Sequence, residues 1–233
     1  MSTETPNEAR RVALAGLQIA DGSLPIGRFA HSNGTERWLS ENPRASSIEL
    51  EQLISVSLTE AIAPLDGAAL HSAHRAETAT ELLELDALLS AHKSAPASRA
   101  ASRSCGRQLA QLATRLLQNE LLAEYCSLVD SRQSDGNLSI VEGALARAAA
   151  IPDEMAVLIS LRSAASGMLS AAVRLGRLSP SQAQVSLTTL AASVDQATTI
   201  ALATKLGEWH STAAELEICL LASGREEISF FAS

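Results

Sequence analysis

Leu17–Glu36 reads LQIADGSLPIGRFAHSNGTE, a glycine- and proline-punctuated turn set between two short apolar runs. Gly22, Pro25, Gly27 and Gly34 each mark a place where regular helix is interrupted. Asp21, Ser23, Ser32 and Asn33 stand among them as side chains able to hydrogen-bond backbone groups in turns or at helix starts. The rest of the chain is rich in Ala and Leu. The stretch therefore reads as one specific loop on a scaffold of plainer helices, the usual setting for function.

Gly22 and Gly27 have the spacing of a phosphate-binding loop. Arg28 and Phe29, however, occupy the places where that motif needs Lys and then Ser or Thr. Without that Lys nothing neutralises the outer phosphates, and without the hydroxyl nothing holds Mg²⁺. No buried β-strand pattern precedes the loop, so nucleotide binding is not expected here.

Working outward, the chain has 233 residues, 3% of them aromatic, with net charge −8 and a pI near 5.2. A chain this long buries roughly 70–75% of its unfolded surface, enough to fold without a metal or disulfide. Ala and Leu are the strongest helix formers, and sustained period-two alternation is missing. The expectation is an all-α, single-domain bundle of about nine or ten helices. Its boundaries are a disordered N-terminus over 1–9, an all-α domain over 10–224 and an apolar tail over 225–233. The acidic surface disfavours nucleic acid and anionic membranes. Cys105, Cys126 and Cys219 lie far apart with no CxxC spacing and read as buried thiols of a reducing compartment. Val12–Ala20 is too short to span a bilayer, and the N-terminus has no signal-peptide architecture, so a cytoplasmic location is expected.

Along the chain, short helices are expected over about 10–20 and 32–40. Ser46 with Glu49 forms a capping box before an amphipathic helix whose apolar face is Leu50, Leu53, Ile54, Leu58, Ala61 and Ile62. Pro64 ends or kinks it, and a further helix covers 65–76. Thr78 and Glu81 repeat the capping pattern. Pro96 starts a long helix through Leu117, with continuity to Leu128 left open. Residues 130–137, DSRQSDGN, form a polar loop. Helices follow over about 138–150 and 152–177, then from Pro180 toward Lys205, then over 208–221. Pro152 and Pro180 both suit a first helical position.

Candidate chemistry is sparse. His71 and His74 lie three apart on a helix with Asp66 upstream, a spacing that can place two imidazoles near one metal, although further ligands are not evident. His31 beside Ser32 is not a nucleophile–base pair by adjacency alone. Glu36 suits the first turn of a helix, and Phe29 and Trp38 either pack the loop onto the bundle or anchor a partner. Arg99, Arg103, Arg107 and Arg115 form a basic stripe, either solvated and paired or a docking face for an acidic partner. Arg174, in an apolar helix, has to reach water or a carboxylate. Phe230 and Phe231 pack back on the bundle or insert into a neighbour.

Four blocks carry a resemblance to a known family. They are Leu24-Pro25-Ile26-Gly27 with Phe29 and Ser32-Asn33-Gly34-Thr35-Glu36; Arg99-Ala100-Ala101-Ser102 with Gly106; Gly143-Ala144-Leu145-Ala146; and Ser170–Gly176 with Arg174, continuing to Gln184. In this order they resemble the motifs of the urease accessory protein UreF family. The chain departs from that pattern at Arg28, where a second glycine is common, at Asn137, where many members carry His, and at Ser179-Pro180, in place of Gly-Gln. The resemblance implies a non-enzymatic maturation chaperone that bridges UreD (UreH) and the GTPase UreG on apo-urease and modulates GTP-dependent nickel delivery. It also implies a homodimer, no tightly bound cofactor and nickel(II) as cargo. The motif residues, His31 and Glu36 among them, would then lie on the surface that meets the partners. The alternatives are a helical metal carrier or metalloenzyme using His71 and His74, or an unrelated helical adaptor.

Overall fold

A computed structural model describes residues 6–28 and 32–223. Among them the chain is helical throughout, with no strand. Helix α1 spans Pro6–Ala20 and α2 Thr35–Glu41. Helix α3 runs unbroken over Ser47–Arg75. There follow α4 Ala79–His92, α5 Pro96–Leu116, α6 Glu120–Asp130, α7 Leu138–Ala148 and α8 Asp153–Arg174. The last are α9 Pro180–Thr189, α10 Ala191–Ala203 and α11 Ala214–Ser223, with a 3₁₀ turn at Leu206–Glu208. Among the described residues eleven helices stand against the nine or ten expected. Leu190 divides one expected helix and Asn119 caps a new start, accepting the Leu122 N–H at 3.0 Å, while the two helices expected either side of Pro64 are one.

Local signals act as anticipated at two caps. Ser46 with Glu49 and Ser179 with Gln182 both form complete capping boxes. Other boundaries move. Helix α1 begins at Pro6 rather than near Arg10, and α2 at Thr35 rather than Ser32. Pro152 precedes its helix as the N-cap instead of opening it. The final helix starts at Ala214, not Glu208.

Pro64 neither ends nor breaks α3. Its region, Leu58–Gly67, widens into a π-helix, a form that accommodates an interrupted hydrogen-bond ladder. Proline has no N–H for the Glu60 carbonyl four residues back. That carbonyl instead accepts the Thr212 N–H at 2.8 Å and the Thr212 hydroxyl at 3.1 Å. The Pro64 carbonyl accepts the His210 N–H at 3.4 Å. A strap over 209–213 thus completes the helix from outside.

The core has two lobes that share α3. One gathers Leu50, Leu53, Ile54 and Leu58 with Val157, Leu161, Met168, Val194 and Leu216. The other gathers Leu82, Leu89, Leu109, Tyr125, Ile140 and Leu145 with Ile26 from the first loop. The 131–137 segment is not simply a solvated loop. Asp86, 1% exposed, accepts hydrogen bonds from the Ser134 hydroxyl, the Gly136 and Asn137 N–H groups and the Asn137 side-chain amide, drawing the segment onto α4. Cys105, Cys126 and Cys219 are all buried and unbridged.

Candidate functional site

The loop ahead of α2 is built from short local bonds. The Asp21 carboxylate accepts the Ser23 N–H at 2.8 Å, which holds its carboxyl below the usual value. The Leu24 N–H bonds the Asp21 carbonyl at 3.1 Å, and Ile26 inserts into the core at 1% exposure. Gly27 (φ 74°) and Gly34 (φ 85°) take the left-handed backbone that side-chain-bearing residues avoid, and Asn33 joins them at φ 49°. These residues turn the chain into α2, where the Ser32 carbonyl accepts the Thr35 N–H at 3.0 Å.

A seven-residue helix has little stability of its own, and α2 is held by long-range contacts. Glu36 in its first turn receives Arg174 of α8 at 2.8 Å. At its C-terminal end Arg177 donates to the carbonyls of Leu39, Asn42 and Ala45 at 3.2–3.3 Å. The Trp38 indole N–H donates to Glu215 of α11 at 2.5 Å. Gly34 lets α11 close in, since a Cβ there would stand 3.0 Å from a Leu216 methyl. Ahead of α2, Arg28 forms an ion pair with Glu142 of α7, whose other oxygen accepts the Ser160 hydroxyl at 2.7 Å. Burial pushes the Arg28 guanidinium down to about 10 and the neighbouring Cys105 thiol up to about 11. Both keep their ordinary neutral-pH forms, a cation and a thiol.

The glycines of the second and third motif blocks sit at separate close approaches. A Cβ on Gly106 would fall on the Gly136 carbonyl and lie 2.7 Å from the Leu138 nitrogen. One on Gly143 would lie 2.5 Å from the Leu70 carbonyl and 2.9 Å from the His74 nitrogen. Both glycines permit helix approach that any side chain prevents. The Ser102 hydroxyl accepts the Leu138 N–H at 3.2 Å. Arg99 donates to the Lys93 and Ser94 carbonyls, and Arg103 pairs with Asp135 at 2.5 Å, so half of the basic stripe is engaged within the fold.

Other candidates are not drawn together. His71 Nδ1 contacts the Asp153 carboxylate at 2.9 Å, and His74 Nε2 meets the Ile151 carbonyl at 2.8 Å, so the two imidazoles are engaged with different neighbours. The described residues contain no group of three or more His, Cys, Asp or Glu side chains arranged to hold a metal. Leu24 is half-buried, Pro25 exposed, and Gln184 exposed on α9. Phe29, His31, Phe230 and Phe231 lie outside the described residues.

Beneath the corner lies a cavity of about 150 Å³. Arg28, Asp66, Lys93, Ser102 and Glu142 line it, and α11 contributes Leu216 and Glu217. Asp66 accepts Lys93 at 2.7 Å and the Ser139 hydroxyl at 2.8 Å. Sequence reading passed over Glu142, Arg177, Glu215 and Asp86. Their roles rest on partners dozens of residues away, and only Glu142, next to the Gly143 block, had any local signal.

A family model described as UreF matches residues 45–191. A urease accessory protein UreF of Haemophilus influenzae (strain PittEE) is 31% identical over 189 residues, 80% of this chain and 80% of its own. One from Actinobacillus pleuropneumoniae serotype 3 is 31% identical over 184 residues, 78% of this chain and 81% of its own. One from Corynebacterium glutamicum (strain R) is 27% identical over 158 residues, 68% and 70% respectively.

Proposed function

This chain belongs to the UreF family of urease accessory proteins, and from that premise we propose that it is a non-enzymatic chaperone of urease maturation. It bridges UreD (UreH) and the GTPase UreG on cytoplasmic apo-urease and modulates GTP-dependent delivery of nickel(II), which is cargo rather than a resident cofactor. It works as a homodimer. The observation that carries this reading is the joining of the first and fourth motif blocks by Glu36 and Arg174. That contact, with the Arg28–Glu142 pair, ties the described residues on either side of the loop to the bundle. A preorganised surface loses less conformational entropy on docking than a mobile one.

The mechanism is mechanical. The clamped corner presents Pro25 and the start of α2, while the flanking helices set the orientation of each partner. Co-purification of the intact chain with UreD and UreG tests it, compared with Glu36→Ala and with a truncation after Gly224. Retention of both partners by the intact chain, reduced in either variant, is the expected result. Failure of the intact chain to retain either partner overturns the reading.

A further inference from the structure

We infer that the cavity beneath the corner is a binding site for a small oxyanion. Its space, about 150 Å³, equals roughly five waters at about 30 Å³ each, enough for one ion of a few heavy atoms. The polar groups facing it are unevenly satisfied. Two of its three carboxylates are engaged at each oxygen: Asp66 by Lys93 and Ser139, Glu142 by Arg28 and Ser160.

The donors are not exhausted. Arg28 Nε is buried with no hydrogen-bond partner among the described residues. The Lys93 side chain is 5% exposed, and its ammonium, with three N–H groups, makes one hydrogen bond among the described residues, to Asp66. The Ser102 hydroxyl accepts the Leu138 N–H and keeps its own proton to donate. A buried donor without a partner costs free energy, and the polar end of this mostly apolar cavity, where Arg28 Nε lies beside Lys93 and Ser102, calls for an acceptor.

An oxyanion supplies several acceptor oxygens to a guanidinium and an ammonium, the pairing that makes the strongest hydrogen bonds. A cation would find a single carboxylate, Glu217, not already paired, since Arg28 and Lys93 hold the other two. Glu217 lines the same cavity without an ion-pair partner among the described residues and opposes an anion, which keeps the affinity modest. Such a site is independent of any urease partner.

The test is a titration of inorganic phosphate against the full chain, followed by phosphorus-31 line broadening with formate as competitor. Saturable broadening is expected in the wild type, lost in Lys93→Gln and tightened several-fold in Glu217→Gln. Competition by formate extends the site to planar oxyanions; saturation that formate does not compete limits it to tetrahedral ones, and both support the site. Absence of saturable broadening, equal broadening in Lys93→Gln, or weaker binding in Glu217→Gln overturns it. Should Lys93→Gln fail to fold, Arg28→Lys and Glu217→Gln still decide: the first weakens binding and the second strengthens it, or the site is not there.

Discussion

Arg174 Nη2 donates to Glu36 Oε1 at 2.8 Å, joining residues 138 positions apart and tying the first helix after the loop to the long helix α8. The two side chains are 27% and 32% exposed. A pair this wet contributes little to global stability, and its effect is on position.

Glu36→Gln is therefore expected to lower stability by about 1 kcal/mol or less. A double-mutant cycle with Arg174→Gln should return a coupling of the same order, shrinking as salt rises. Chemical denaturation measures both. A loss several times larger would mean that the pair supports the core rather than the corner.

The Arg28–Glu142 pair should behave differently, because both side chains are largely buried. Glu142→Ala leaves an uncompensated guanidinium inside and is expected to cost about 3–5 kcal/mol. Replacing both partners by Met should cost clearly less than the single change. Equal losses in the single and double variants would contradict the account.

Gly143→Ala places a methyl 2.5 Å from the Leu70 carbonyl, with backbone rather than a flexible side chain in the way. The strain expected is about 1–3 kcal/mol. Thermal unfolding reads it out, and a variant as stable as the wild type would show that α7 and α3 can separate freely.

Thr212→Val removes the hydroxyl donor to the Glu60 carbonyl while keeping the backbone bond. The expected cost is about 1 kcal/mol. In a Pro64→Ala background, where residue 64 regains an N–H, the same change should cost less. Undiminished loss in that background would refute the role assigned to the strap.

Burial raises the thiols of Cys105 and Cys126 from 9.0 to about 11 and about 12. The folded state therefore holds these protons to higher pH than the unfolded state. Their contribution to stability is fully present below pH 9 and is lost as pH rises toward 11–12. Denaturation midpoints across pH 8–11 should fall less in a Cys105→Ala/Cys126→Ala variant than in the wild type. Parallel curves would refute the assignment.

The elements readable in advance were those whose cause is local. Ser46 and Glu49 meet within one turn, as do Ser179 and Gln182, so their types and spacing sufficed to place two helix starts. The apolar face from Leu50 to Ile62 was legible for the same reason and is buried as far as Ala61, with Ile62 only partly buried. Pro64 misled, because the groups that rescue its helix come from residues 210 and 212. The 131–137 segment reads as solvated from its composition, yet Asp86 on another helix draws it inward.

Helical class, the interruption of helix at Gly27 and Gly34 and the family's motif blocks followed from the chain alone, since backbone propensity and steric limits act over a few residues. Where α2 is clamped, which carboxylate meets Arg28 and how six helices come to line one cavity were settled only on folding. Those relationships depend on which distant side chains share a desolvated space, and no spacing along the chain encodes that.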